Sequence, residues 1–445
     1  MPALALRSLR YRSAAFSATF VSVLLGTAVI GAFATLFEVA AGPVAPHDAE
    51  ALRIMGAVVG GWGALIVLYS VASTVGITVE RRGVEIGLLR TIGATPGQAR
   101  RLVRVETLVV CLVAALLGAL VASVAGRVLL SALRSSGLVA SAEYRGGFVS
   151  LAITVAGVLV VCLGAAAIAG WRATRGAPSV AGREDSASQG AMPWWRIAVA
   201  LGLIGCGIAP AIVTVTVTKN SADPYEAMAT SGSNSIMVGI GLAVLAPLLL
   251  RVGAALARPV AGGRSVETYL AAYNTARRSH LLAGVLAPVI VLTSVSVGTL
   301  MLVGIDGRTL AVSTPDGRTI NLLNNVVVAM LCLFAAIMVV NAFAVLVEHR
   351  RAELRRLWLL GATPAQVRGS VVAEAVVVAA VGIVSGLIAS LTTMVPFAIA
   401  RGEGLVPDGQ LWLPPTLAAA VIALTVLSAR RAVRRVVGSA LAQAA

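Results

Sequence analysis

Residues 85–98 read EIGLLRTIGATPGQ, and residues 353–366 read ELRRLWLLGATPAQ. Both copies are charged and helix-breaking, yet they sit in a chain of 445 residues that is 58% hydrophobic and only 12% charged. The alignment runs without a gap beyond the quoted stretch. Glu80, Glu85, Gly93, Thr95, Pro96, Gln98 and Glu106 recur at one constant offset as Glu348, Glu353, Gly361, Thr363, Pro364, Gln366 and Glu374. Agreement of this kind defines an internal repeat, and the repeat organises everything around it.

The chemistry of the motif predicts a helix, a sharp break and a second helix. Gly93 and Gly361 suit a C′ position, where positive φ meets no Cβ penalty. Thr95 and Thr363 suit an N-cap, with Pro at N1 and Gln98 or Gln366 at N3 to close a capping box. Before the break, Ile86, Leu89 and Ile92 share one face while Arg82, Glu85 and Arg90 lie elsewhere. Leu354, Leu357 and Leu360 stand in the same relation to Arg350, Glu353 and Arg356. Each is expected to be a short amphipathic helix on the membrane surface. The first contains or adjoins Gly83, Gly87 and Gly97 where the second has Arg351, Arg355 and Ala365. It should be the looser of the two, since an interior glycine costs ~1 kcal/mol relative to a good helix former.

Outward from the motif, the composition exceeds what a water-soluble core of this length can hide, so the chain reads as an all-α integral membrane protein. Crossing ~30 Å of hydrocarbon needs about 20 apolar residues in a helix, and about ten runs qualify. They centre on 14–39, 54–79, 105–130, 149–171, 197–216, 236–256, 281–303, 325–347, 371–399 and 413–427. The first follows Arg7, Arg10 and Arg12 but is longer than a signal-peptide core, so an uncleaved span is expected.

Each motif has one run before it and two after it, and each such unit opens on a basic lead-in, SLRYR at 8–12 and NTARR at 274–278. The division is therefore two parallel four-span units, 1–180 and 266–445, joined by a 181–265 linker with two spacer spans. Arginines concentrate in alternate loops, which the positive-inside rule makes cytoplasmic together with both termini. The other loops carry Asp48, Glu50, Glu143, Asp223, Glu226, Asp306, Asp316, Glu403 and Asp408. The net charge of +16 thus reads as topology and contact with anionic membrane lipid. No aromatic interleaving points to nucleic acid. Cys111, Cys162, Cys206 and Cys332 lack metal-ligand spacing, and His47, His280 and His349 are isolated, so no metal site or catalytic constellation is expected. Glu106 and Glu374 fall in the first turns of spans, where a carboxylate complements the helix dipole.

These residues resemble the FtsX-like (MacB-type) permease family of ABC transporters. The family's segment reads approximately E-x-x-x-x-E-I-x-x-L-R-x-x-G-A-T-x-x-Q, and a span opening near a Glu follows it. Glu80, Glu85, Ile86, Leu89, Arg90, Gly93, Ala94, Thr95, Gln98 and Glu106 match in the first copy. Glu348, Glu353, Leu354, Leu357, Gly361, Ala362, Thr363, Gln366 and Glu374 match in the second, with Trp358 where the family often has Arg. The resemblance implies that the segments are coupling helices seated on a separate dimeric ATPase, which carries the ATP and Mg. One permease copy would serve each complex, in a bacterial plasma membrane. No G-x-x-x-x-G-K-[ST] motif occurs here, and Lys219 is the single lysine. Well-studied relatives carry a large extracytoplasmic domain, whereas the loops at Phe37 to Leu52 and Gly304 to Leu323 are short. Recognition is left to the spans. Export of an amphipathic or lipid-like compound is the expected function. The alternatives are a mechanotransmitter acting on an extracellular partner such as a wall hydrolase, or a secondary transporter.

Overall fold

The computed structural model describes residues 13–175, 192–309 and 328–442, with short gaps within 62–82, 136–145, 222–223, 262–265 and 330–349. Fourteen α-helices and no strand occur among the described residues, and eight helical segments are long and apolar enough to cross a membrane. The chain divides into two compact units, Met1–Ser188 with Ser313–Leu323, and Gln189–Val312 with Asn324–Ala445.

In the first unit, α1 (Ser13–Ala40) is followed by α2 (Pro46–Ile54) and a π-helical turn at Met55–Val59. Then come α3 (Gly83–Thr91), α4 (Pro96–Ser135) and α5 (Phe148–Arg175). The second unit contains α6 (Trp194–Thr216), α7 (Pro224–Ser231), α8 (Asn234–Val244), α9 (Ala246–Ala261), α10 (Val266–Arg277) and α11 (Ser279–Thr309). It closes with α12 (Arg351–Leu359), α13 (Pro364–Ala400) and α14 (Leu413–Ala442). Helices α1, α4, α5, α6, α11, α13 and α14 coincide with predicted spans, whereas those predicted at 54–79 and 325–347 lie largely outside the described residues.

The span expected at 236–256 is not continuous. It breaks at Leu245 between α8 and α9, and the segment long and apolar enough to span is Glu226–Val244, which includes a turn at Gly232 and Ser233. Pro247 explains the break at Leu245, because its nitrogen cannot donate to the turn before it. Prolines 210, 288 and 396 are accommodated inside α6, α11 and α13.

Each unit contains a tight helix pair of the same form. In the first, α1 crosses α4 where a Cβ on Gly118 would lie 2.6 Å from the Leu24 carbonyl oxygen and 2.8 Å from Thr27 Cβ. In the second, α11 crosses α13 where a Cβ on Gly386 would lie 3.0 Å from the Ile290 oxygen and 2.5 Å from Thr293 Cβ. The threonines are held alike: Thr27 Oγ1 donates to the Val23 carbonyl at 2.8 Å and Thr293 Oγ1 to that of Val289 at 2.9 Å. With little hydrophobic drive between helices in lipid, close approach over a small residue becomes the packing device. The far end of the second unit is tied by Arg308, which donates to both Glu403 oxygens at 3.2 and 3.0 Å, and by the Arg401–Asp306 ion pair.

Apolar side chains left exposed cover the outer faces of the long helices, as with Leu120 and Val128 on α4, Ile153 and Val160 on α5, and Leu201 and Ile212 on α6. Exposed aromatics mark helix ends: Phe148 and Trp171 on α5, Trp194 and Trp195 on α6 and Trp412 before α14. Both features suit a lipid environment with interfacial anchors.

Candidate functional site

The two helix breaks have the expected geometry. Gly361 has φ +96° and Gly93 φ +102°. After α12, the Ala362 N–H donates to the Leu357 carbonyl and the Gly361 N–H to that of Trp358, both at 3.0 Å, which closes a Schellman turn. Thr363 then caps α13: its Oγ1 accepts from the Gln366 N–H at 3.2 Å, and Gln366 Oε1 accepts from the Thr363 N–H at 2.9 Å. Thr95 and Gln98 repeat that exchange ahead of α4 at 3.0 and 3.2 Å. The correspondence extends one turn further, to an arginine folded back on the N1 proline. Arg100 Nε donates to the Pro96 carbonyl at 3.2 Å and Arg368 Nε to that of Pro364 at 2.9 Å.

The apolar face expected on each short helix is divided in the structure. Its beginning is buried, with Ile86 and Leu354 both 3% exposed. Leu354 packs with Val347, Val367, Val371 and Val433, and Leu357 leans on the same cluster. The end points outward: Ile92 in the first copy and Leu360 in the second are 76% and 84% exposed, and Leu88 and Leu359, which lie off that face, are also more than 60% exposed. Glu80 and Glu348 lie outside the described residues, as do the side chains of Glu85 and Leu89. Arg90 reaches from α3 to the Thr174 carbonyl at the end of α5, at 3.3 Å. Despite its glycines, α3 spans nine residues, as α12 does.

Glu374 does not act as a surface charge at a helix start. It is 2% exposed and paired with Arg350, itself 4% exposed. Asn274 Nδ2 donates to its other oxygen at 3.1 Å. Arg350 also donates to Glu353 at 3.3 Å, and Arg278 pairs with Glu353 at 2.6 Å. This network fastens α12 to α13, to the end of α10 and to the residue preceding α11. A buried charge is tolerated only when paired, which accounts for the number of contacts. Sequence reasoning missed Arg350, Asn274 and Arg278 as members of the site. One signal was present, since Arg82 precedes Glu106 at the spacing that separates Arg350 from Glu374. Glu106 is likewise fully buried, and Arg82 lies outside the described residues.

Burial alone would raise the Glu353 carboxyl, but its contacts with Arg278 and Arg350 prevail and hold it below the ordinary glutamate value. A group depressed in this way stabilises its contacts above the free value and loses that contribution as pH falls through the lower one. Acidification below about pH 4.3 should therefore loosen α12. Faster amide hydrogen exchange in residues 351–362, with residues 380–392 of α13 still protected, is the expected result.

The fold and the site define a multi-pass helical membrane protein with two copies of a surface helix, a capped break and a spanning helix. The FtsX-like permease C-terminal family matches residues 57–178 and 325–439, more than half of the chain and both copies of the motif. The chain belongs to the FtsX-like permease family and is a membrane permease component of an ABC-type transporter. No curated protein matches it.

Proposed function

We propose that the chain couples ATP hydrolysis on a separate ATPase to export of an amphipathic or lipid-like compound, and that the two helix breaks are the docking points. The carrying observation is the divided apolar face. Leu360 and Ile92 are 84% and 76% exposed, with Leu359 and Leu88 beside them at 69% and 63%, while each helix is anchored by a buried residue, Leu354 or Ile86, six residues before its tip. An exposed apolar tip on a held base suits capture by a pocket on another subunit. Two tips in one chain suit an ATPase dimer that brings its own ATP and Mg, with one permease copy per complex. The family likeness favours a bacterial cell membrane, and the arginine-rich loops favour both tips and both termini on its cytoplasmic side.

Movement received at a tip has a direct route inward. Glu353 and Arg350 tie α12 to Glu374, which sits on the long helix α13. The test is Leu360→Asp combined with Ile92→Asp in the full chain, measured by capture of candidate ATPases from the same genome in lipid nanodiscs. Losing two apolar anchors is expected to weaken capture ~30-fold or more, about 2 kcal/mol, with insertion intact. Unchanged capture would remove the docking role.

A further inference from the structure

The interrupted passage α7–α8 contains two buried polar atoms in the interior of the second unit that lack hydrogen-bond partners among the described residues. Its turn at Gly232 and Ser233 leaves a helix end facing a helix start, and Ser233 makes no side-chain cap. The missing partners come from α13. Thr393 Oγ1 donates to the Ser231 carbonyl at 3.0 Å and accepts from the Ser235 N–H at 2.9 Å. Asn234 Nδ2 donates to the Thr392 carbonyl at 3.4 Å. Neighbouring hydroxyls satisfy one another: Thr214 donates to Thr230 at 2.9 Å and Ser231 to Thr214 at 3.2 Å.

Two atoms at the turn are left over. Asn234 Oδ1 and Ser235 Oγ have no hydrogen-bond partner among the described residues, and both residues are 0% exposed. Thr393 lies seven residues before the end of α13, so the turn sits ~10 Å below that end at ~1.5 Å per residue. Water is scarce at such depth, and an unpaired acceptor and hydroxyl there are unfavourable until a ligand supplies their partners. Asn234, Ser235 and the residues that cap the turn are all neutral, which disfavours a phosphate or an ammonium group. The leftover pair suits a group that both donates and accepts one hydrogen bond.

We propose that the turn at 232–233 is a binding site for the neutral hydroxyl or amide head group of a membrane-embedded amphiphile, held by Asn234 Oδ1 and Ser235 Oγ. The inference rests on the permease reading for its role in transport and adds the class of head group. In this structure the site is closed, with Ser235 Oγ 2.4 Å from where a Cβ on Gly298 of α11 would stand. Entry therefore requires α8 to move relative to α11, and α13 is the helix that holds α8 at the turn.

The experiment uses the full chain in nanodiscs with a photoactivatable diacylglycerol, and in parallel with its phosphatidylglycerol analogue of the same acyl chains. Labelled peptides are mapped by mass spectrometry. Diacylglycerol should label residues 228–238 and 389–394, and unlabelled diacylglycerol should compete. The phosphatidylglycerol analogue should label only outer helix faces. Ser235→Ala keeps the backbone bond to Thr393, so it carries the decision, and a loss on the order of fivefold matches removal of one neutral hydrogen bond. Asn234→Leu should lose at least as much. Equal labelling of the turn by both lipids, labelling confined to outer faces, or labelling indifferent to Ser235→Ala overturns the site. ATPase capture is scored on the same preparation. Absent labelling with intact capture rejects the site and leaves the permease reading standing, whereas labelling as described without capture supports the site and counts against that reading.

Discussion

Arg350→Ala is expected to destabilise the folded chain by about 3–5 kcal/mol, the range for removing one partner of a buried ion pair. The reason lies in what remains: Glu374, 2% exposed, would keep one hydrogen bond from Asn274 and lose its counter-charge. Glu374→Ala should act in the same direction, because Arg350 would retain only the half-buried Glu353. The double change Arg350→Met with Glu374→Leu should recover most of the loss, since an apolar pair of similar volume removes both charges together. Thermal unfolding in detergent measures these three values. The double variant also separates stability from transmission. On the proposed docking role it should fold and still capture the ATPase through its exposed tips, yet lose most of the substrate-stimulated ATP hydrolysis, because α12 keeps its apolar contact with α13 but loses the ion-paired link to Glu374. Full stimulation in that variant would show that motion passes by another route.

The second large effect concerns the two helix crossings. Gly118→Val and Gly386→Val should each destabilise by about 1–3 kcal/mol, the usual range for overpacking. The upper end is expected because each new Cβ would meet a backbone carbonyl as well as a side chain: Leu24 oxygen at 2.6 Å for Gly118 and Ile290 oxygen at 3.0 Å for Gly386. A flexible side chain could swing away, but a carbonyl moves only with its helix. Gly157 and Gly164 on α5 have nothing within 4 Å of an added Cβ. Valine at either should leave the unfolding temperature within a few degrees of the parent. Comparable losses at all four positions would mean that generic helix propensity, rather than the crossings, governs stability.

Much of the candidate site was legible because its chemistry is local. Gly, Thr, Pro and Gln within six residues specify a left-handed turn, an N-cap and a capping box with no help from elsewhere. The observed φ values and both reciprocal hydrogen bonds follow from those residues alone. Apolar runs of spanning length were equally direct, because lipid requires each span to satisfy its own backbone. The run at 236–256 misled for the same reason. Its composition is that of a span, but Pro247 breaks it at Leu245, and the spanning segment Glu226–Val244 lies further back, across a turn that α13 caps from 158 residues away.

Which side of each short helix would face inward was not legible, since periodicity marks an apolar face without saying what covers it. Tertiary packing buried Leu354 against α13 and α14 and left Leu360 outside. The same limit applies to Glu374. By sequence it stands at the start of a span, where a helix dipole is partner enough. Only the fold brings Arg350 and Asn274 to it, from 24 and 100 residues away. The matched crossings of α1 with α4 and of α11 with α13 were hidden for a related reason. Their glycines and threonines are common in any apolar helix, and they acquire meaning only where two backbones meet. Sequence by itself determined the membrane class, the duplication and the two capped breaks, because these rest on composition and on neighbours within a turn of helix. Tertiary structure alone decided the buried ion network, the exposed tips and the capped interruption at 232–233, because each depends on groups that contact only after distant helices pack.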